Sequence, residues 1–155
     1  MSDSVERVRA ALSAAGHPDT IDLFPDGTRT AQDAANAVGC TVAQIAKSIV
    51  LRAGEQVVLV IASGVNRVDV GKIAKVVGQP VKPADGRWVR DVTGFAIGGV
   101  APVGHLAPPR IFIDEDLMAL DPVFAAAGTP KHVFRTSAAE LARMTGGTVA
   151  DVKEG

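Results

Sequence analysis

Two short stretches hold most of the chemical possibilities in this chain of 155 residues. The first is "QIAKSIVLR", residues 44–52, where Lys47 stands among Ile45, Ala46, Ile49 and Val50. A lysine so placed either snorkels from the edge of an apolar core or is presented into a pocket, where its compact ammonium suits an anionic or carbonyl oxygen. The second is "GGVAPVGH", residues 98–105, with Gly98, Gly99, Gly104, Pro102 and a closing His105. Glycine lets a ligand approach the main chain and proline stiffens the backbone beside it, so the loop can aim N–H groups at a carbonyl that gains charge. Its plainer reading is a tight turn between strands, since Phe95–Ile97 before it is strand-like.

Familiar machinery is missing from the rest. There is no G-x-S-x-G elbow, H-E-x-x-H, P-loop or dinucleotide fingerprint. His17, His105 and His132 are scattered, and Cys40 is the sole cysteine, so neither a metal centre nor a disulfide is expected, and no cofactor. An enzyme made from these residues works by positioning and electrostatics.

The elements that must hold these stretches can be read from periodicity and caps. Residues 3–15 read as a helix closed by Gly16; Thr30 with Asp33 opens a second that ends at Gly39. Thr41 and Gln44 make a capping box for a short helix ending near Lys47. Ser48–Arg52 and Gln56–Ala62 read as a hairpin. Val68–Val77 is helical, a further helix runs from about Pro83 to Gly94, "RIFIDE" is a buried strand, Phe124–Thr136 offers one or two more, and Ser137 caps a last helix through Met144. This mixture argues for α+β with a mixed, mostly antiparallel sheet flanked by helices. One domain over residues 1–155 is expected, with 47% apolar residues to fill its core. The N-terminal stretch lacks a signal-peptide pattern and no run reaches membrane-spanning length, so a soluble cytoplasmic protein is expected, with no membrane partner. Although the net charge is −1, Arg67, Lys72, Lys75, Lys82, Arg87 and Arg90 outnumber Asp69 and Asp85 over residues 67–90. That stretch is either a set of solvated faces or a footprint for a polyanion.

The succession "TRTAQDAANAVGC", "QIAKSIVLR", "VLVIASGVNRVDVGKIAKVVG", "DVTGFAIGGVAPVGH", "IFIDEDL" and "AAAGTPKHVFRTSAAELARMTGG" resembles the YbaK/EbsC family, relatives of the editing domain inserted in bacterial prolyl-tRNA synthetases. The likeness runs from about residue 20 to the C-terminus, with "QIAKS" and the G-x-x-x-P of Gly98–Pro102 its most specific pieces.

The resemblance implies a barrel-like sheet and a free-standing aminoacyl-tRNA deacylase that hydrolyses the ester on the 3′-terminal adenosine of a mischarged tRNA, tRNA for proline carrying Ala or Cys above all. Lys47 would contact the aminoacyl end, and Gly98, Gly99, Val100, Ala101 and Pro102 would fix the ester carbonyl and the attacking water, with neither metal nor protein nucleophile. His105 would donate to the ligand or support the loop. Phe24 would form part of the pocket wall, Thr30 would lie near it or simply cap its helix, Ser63 and Gly64 would touch the adenosine or make an ordinary turn, and Gly128 and Thr129 would form a small-residue rim. The partners implied are the acceptor end of aminoacyl-tRNA and a synthetase companion. Left open are a non-catalytic module that binds aminoacyl-tRNA or a synthetase, and hydrolysis of a different acyl ester or amide.

Overall fold

Val5, Val8 and Leu12 recur at helical spacing, and in the computed structural model, which describes residues 3–155, they are the buried face of helix α1, Asp3–Ala14. The Thr30 hydroxyl accepts from the Asp33 amide at the start of α2, Ala31–Val38. Asp69, Asp85 and Ser137 cap α3 (Val70–Val77), α4 (Gly86–Thr93) and α5 (Ala138–Thr145) in the same way.

Three expectations are corrected. Gln44 does accept from the Thr41 amide, yet this box opens only one 3-10 turn, Val42–Gln44, and Lys47 lies inside a strand instead of at a helix end. Helix α4 starts at Gly86 and not near Pro83, because Lys82–Pro83 is drawn into the sheet. Phe95–Ile97 is not a strand: α4 ends at Gly94, and the glycine loop joins that helix to a strand.

Eight strands form one mixed sheet: β1 Ile21–Leu23, β2 Ile45–Ala53, β3 Gln56–Ser63, β4 Lys82–Pro83, β5 Arg110–Asp114, β6 Val123–Ala126, β7 His132–Thr136 and β8 Thr148–Ala150. Their order is β1-β7-β6-β2-β3-β5-β8, with β4 added against β2. Pairs β1/β7, β6/β7, β2/β3 and β2/β4 are antiparallel; β2/β6, β3/β5 and β5/β8 are parallel. The path ends at β1 and β8, which do not pair with each other among the described residues, so the barrel-like curve is not hydrogen-bonded shut.

Strand β3, "QVVLVIAS", is flanked on both edges and buried on both faces, which is why its apolar run is continuous rather than alternating. Leu59 and Ile61 face a large core shared with α1, α4 and α5, whereas Val58, Val60 and Ala62 face a smaller one closed by Ile73 of α3. A third cluster joins Ala34 and Ala35 of α2 to Ile45 and Phe124.

The consequential feature is the outer edge of β2. One edge pairs with β3 over Ala46–Ala53, but the other is divided: Ile45 and Ala46 pair with β6, and Leu51 and Arg52 with β4. Among the described residues, Lys47–Val50 meet no strand on that side.

Candidate active site

A gap in a sheet leaves main-chain groups to be satisfied by something else. Here the start of α2 and the loop 94–105 lean over it and leave a cavity of about 360 Å³. Thr28–Ala31 and Ala34 form one wall, Lys47–Ile49 the floor, Ile97, Gly98 and Val100 the facing wall, and Phe124 and Val133 one end. Of the expected site residues, Lys47, Gly98, Val100 and Thr30 therefore meet around one space.

Lys47 is half-buried, opposite Ala62 in the register, and among the described residues its ammonium has no hydrogen bond or ion pair. Burial pushes it below the ordinary lysine value, while the Asp114 carboxylate pulls it partly back. The N-terminal end of α2 adds partial positive charge to the same cavity. Thr30 lines the cavity, although its hydroxyl is engaged as the cap of α2.

Ser48 lines it too, and the sequence reading missed it. Neighbours on a strand point to opposite faces, which hides one of them from a site on either face. This cavity instead wraps an open strand edge, so Lys47 and Ser48 both reach it. The Ser48 hydroxyl is buried without a partner, a condition that costs about 1–3 kcal/mol until something occupies it. Arg29 and Ile97 are also additions: both are exposed, at the mouth.

The loop is held hard. Gly98 has φ +91°, a region that side chains avoid, and the aliphatic stem of Arg29 lies against it. Gly99 backs onto Thr129, where a Cβ would stand 2.6 Å from the main chain. The Gly99 amide donates to Ala96 O at 3.0 Å and is spent on the turn. Ala101 and Pro102 are buried behind the cavity wall. His105 Nε2 donates to Ala101 O at 2.6 Å; since a carbonyl only accepts, Nδ1 is the bare nitrogen, and it is buried without a partner. Burial keeps this imidazole below its ordinary value, with Arg7 nearby acting in the same direction.

The other expected residues lie outside this cavity. Phe24 lines a neighbouring hollow with Asp22, Val38 and Arg135, separated by Phe124 and Val133, which border both. Ser63 is buried, its hydroxyl donating to Ala43 O and its amide to Asp114. Gly64 donates to Ile45 O, and a side chain there would press on the Val42 carbonyl. Gly128 carries the start of α1, and Thr129 bonds His132 and backs the loop.

Residues 25–144 match the aminoacyl-tRNA editing domain. The chain belongs to that family. The YbaK resemblance carried by the motifs is borne out by the solved structures similar to this editing domain. One, a candidate trans-editing enzyme for prolyl tRNA synthetase, is 46% identical with a TM-score of 0.94, and covers 100% of this chain and 99% of its own. Another, a scaffold from work on epitope backbone grafting by computational design, is 45% identical with the same TM-score and full coverage of both chains. A hypothetical protein is 28% identical with a TM-score of 0.89, over 96% of this chain and 99% of its own. Among curated proteins, the uncharacterized protein YwhH of Bacillus subtilis (strain 168) is 28% identical over 143 residues, 92% of this chain and 91% of the relative. No described helix is long and apolar enough to cross a membrane.

Proposed function

We propose that this cavity hydrolyses the ester between a small amino acid, alanine or cysteine, and the 3′-terminal adenosine of tRNA, and that the chain works as a free-standing editing deacylase. The supporting observation is the unpartnered, half-buried Lys47 ammonium facing Gly98 and Val100 across a small and largely apolar space. Ala31, Ala34, Ile45 and Phe124 leave room for a short apolar side chain and offer nothing to a charged one.

In the reaction, water adds to the ester carbonyl carbon, the carbon–oxygen bond to the ribose breaks, and the ribose oxygen leaves as a hydroxyl with one proton from the water. The negative charge that develops on the carbonyl oxygen is met by the Lys47 ammonium and by the main-chain amides that the loop has left over. Gly99 is not one of them; Gly98 and Val100, which line the cavity, are. Each such donor is worth about 10²–10³ in rate when it is aimed beforehand. Among the described residues, none that lines this cavity is Asp, Glu, His or Cys. The family resemblance implies that the substrate's own terminal ribose hydroxyl helps to activate the water, so that the protein need only orient the reactants.

The tRNA body lies over the mouth. Ile97, at the mouth, lies beside Gly86 at the start of α4, and Arg87 and Arg90 of that helix are exposed, as is Arg29. Arg67 and Lys72 leave the expected basic footprint, since they pair with Glu154 and Asp151. Affinity for tRNA should accordingly fall as salt rises.

The test is deacylation of tRNAs charged with labelled Ala, Cys, Ser, Thr or Pro. Release of Ala or Cys, lost in Lys47→Ala and Gly98→Ala, is expected. Binding of aminoacyl-tRNA without turnover of any of the five would replace the hydrolase with a recognition module.

A further inference from the structure

The loop that walls the cavity is fastened at both ends by a single side chain from a helix outside the segment matched by the family. Arg7 of α1 donates through Nε to Gly104 O at 3.1 Å and through Nη2 to Gly94 O at 2.8 Å. Its guanidinium also lies over the ring of Phe95, 4.8 Å from the centroid. Among the described residues Arg7 pairs with no carboxylate. Two carbonyls on one loop, ten residues apart, are what it holds.

The surroundings make this a template rather than a chance contact. Beside the two bridged carbonyls, the Leu106 amide donates to Thr93 O and closes the base of the loop. A side chain at Gly104 would press on the Arg7 main chain, so the helix backbone and the loop backbone are in direct contact. Phe95, under the guanidinium, meets His105 edge to face at 5.2 Å, and His105 holds Ala101 O. One turn earlier on α1, Ser4 donates to Gly128 O, next to the Thr129 main chain on which Gly99 rests.

We propose that Arg7 is a positioning residue: by bridging Gly94 and Gly104 it sets the height of Gly98 and Val100 above Lys47. Only a planar fork with separated donors can span the two carbonyls, so lysine replaces half of the bridge. The activity part of this inference rests on the hydrolase reading above; the conformational part does not.

The experiment compares full-length wild type, Arg7→Ala, Arg7→Lys and, as a control on the same helix, Arg9→Ala. Backbone amide hydrogen exchange over residues 95–104, the melting temperature, and kcat and KM on the aminoacyl-tRNA that the panel identifies are measured with and without millimolar guanidinium. In Arg7→Ala the loop amides should exchange faster while those of β3 do not, and kcat should fall about 100-fold with KM little changed, the scale expected for a displacement near 1 Å. Added guanidinium should restore part of both, Arg7→Lys should fall between, and Arg9→Ala should behave as wild type. Loop exchange and kcat within twofold of wild type in Arg7→Ala would overturn the proposal, and so would a loss that guanidinium does not relieve or that Arg9→Ala shares. If wild type hydrolyses nothing, the hydrolase reading fails, and the exchange measurement alone decides the role of Arg7.

Discussion

Two polar regions flank the end of the β2–β3 hairpin, and they are built on opposite rules. Beneath it, the buried Asp114 accepts from the Ser63 amide at 3.0 Å, from Asn66 Nδ2 at 2.7 Å and from the Asp116 amide at 2.9 Å. Asp116 is in turn held by Asn66 and by Lys153, and Lys72 by Asp151, which ties the C-terminal segment to α3 and to the turn after β5. On the open edge of β2, the Lys47 ammonium feels Asp114 only at a distance, and among the described residues neither it nor the Ser48 hydroxyl makes a hydrogen bond or ion pair. A fold that saturates one polar cluster is able to saturate another. The half-buried cation left without a hydrogen bond or ion pair beside a cavity is what the proposed function assigns to a ligand.

Lys47→Met should break the contrast most sharply. Removing the ammonium should lower kcat/KM by about 100-fold or more, while the melting temperature holds or rises, because an unpaired half-buried charge is lost. A melting temperature that falls with activity would mean that Lys47 is part of the packing.

The pH dependence sharpens the same point. Burial sets the folded Lys47 value below that of the unfolded chain, so between the two values the unfolded state binds the proton more tightly. Stability therefore gains from Lys47 as pH rises through that window, and below the folded value the penalty is present in full. Under the proposed function, in which the ammonium acts on the ester, activity should fall across the same window, by up to about tenfold per unit. Wild type compared with Lys47→Met, for both melting temperature and kcat/KM, isolates this residue from other lysines. Profiles in which the two quantities move together would contradict it.

Next in size is Gly99→Ala. Its Cβ would collide with the Thr129 main chain, which should cost about 1–3 kcal/mol of stability and lift the loop, lowering kcat about tenfold. Denaturant unfolding beside kinetics reads both effects. The smallest effect should come from Lys72→Met in the saturated region: a slight fall in melting temperature and unchanged kcat/KM, since exposed ion pairs contribute little.

Helix caps and buried strands were legible because their signals are local. Thr30, Gly39, Gly78, Ser137 and the continuous apolar run of β3 each act through near neighbours. Three-residue β1 and β8 were not legible, since their place in the sheet depends on partners more than 30 residues away, Phe134 for Ile21 and Phe112 for Thr148. Phe95 looked like a strand residue because aromatic side chains favour both strands and cores; here it anchors the loop from within the core. In the site, the motifs placed Lys47, Gly98, Val100 and Thr30 around one space. They did not show that Phe24 faces a second hollow, that Ser63 serves Asp114, or that Gly128 carries α1. Sequence order says which loops come together; the side of the β2 gap on which a residue falls depends on the register of β4 and β6.

The wall made by α2 has a consequence for how such a protein changes over generations. Ala31 and Ala34 shape the cavity, yet they hang from a helix that, among the described residues, shares no hydrogen bond with the glycine loop. Under the proposed function, selection can therefore enlarge or trim the space for the amino acid side chain at these two alanines while Lys47 and the loop stay as they are. Descendants of one ancestor can thus diverge in what they accept and keep inherited chemistry intact.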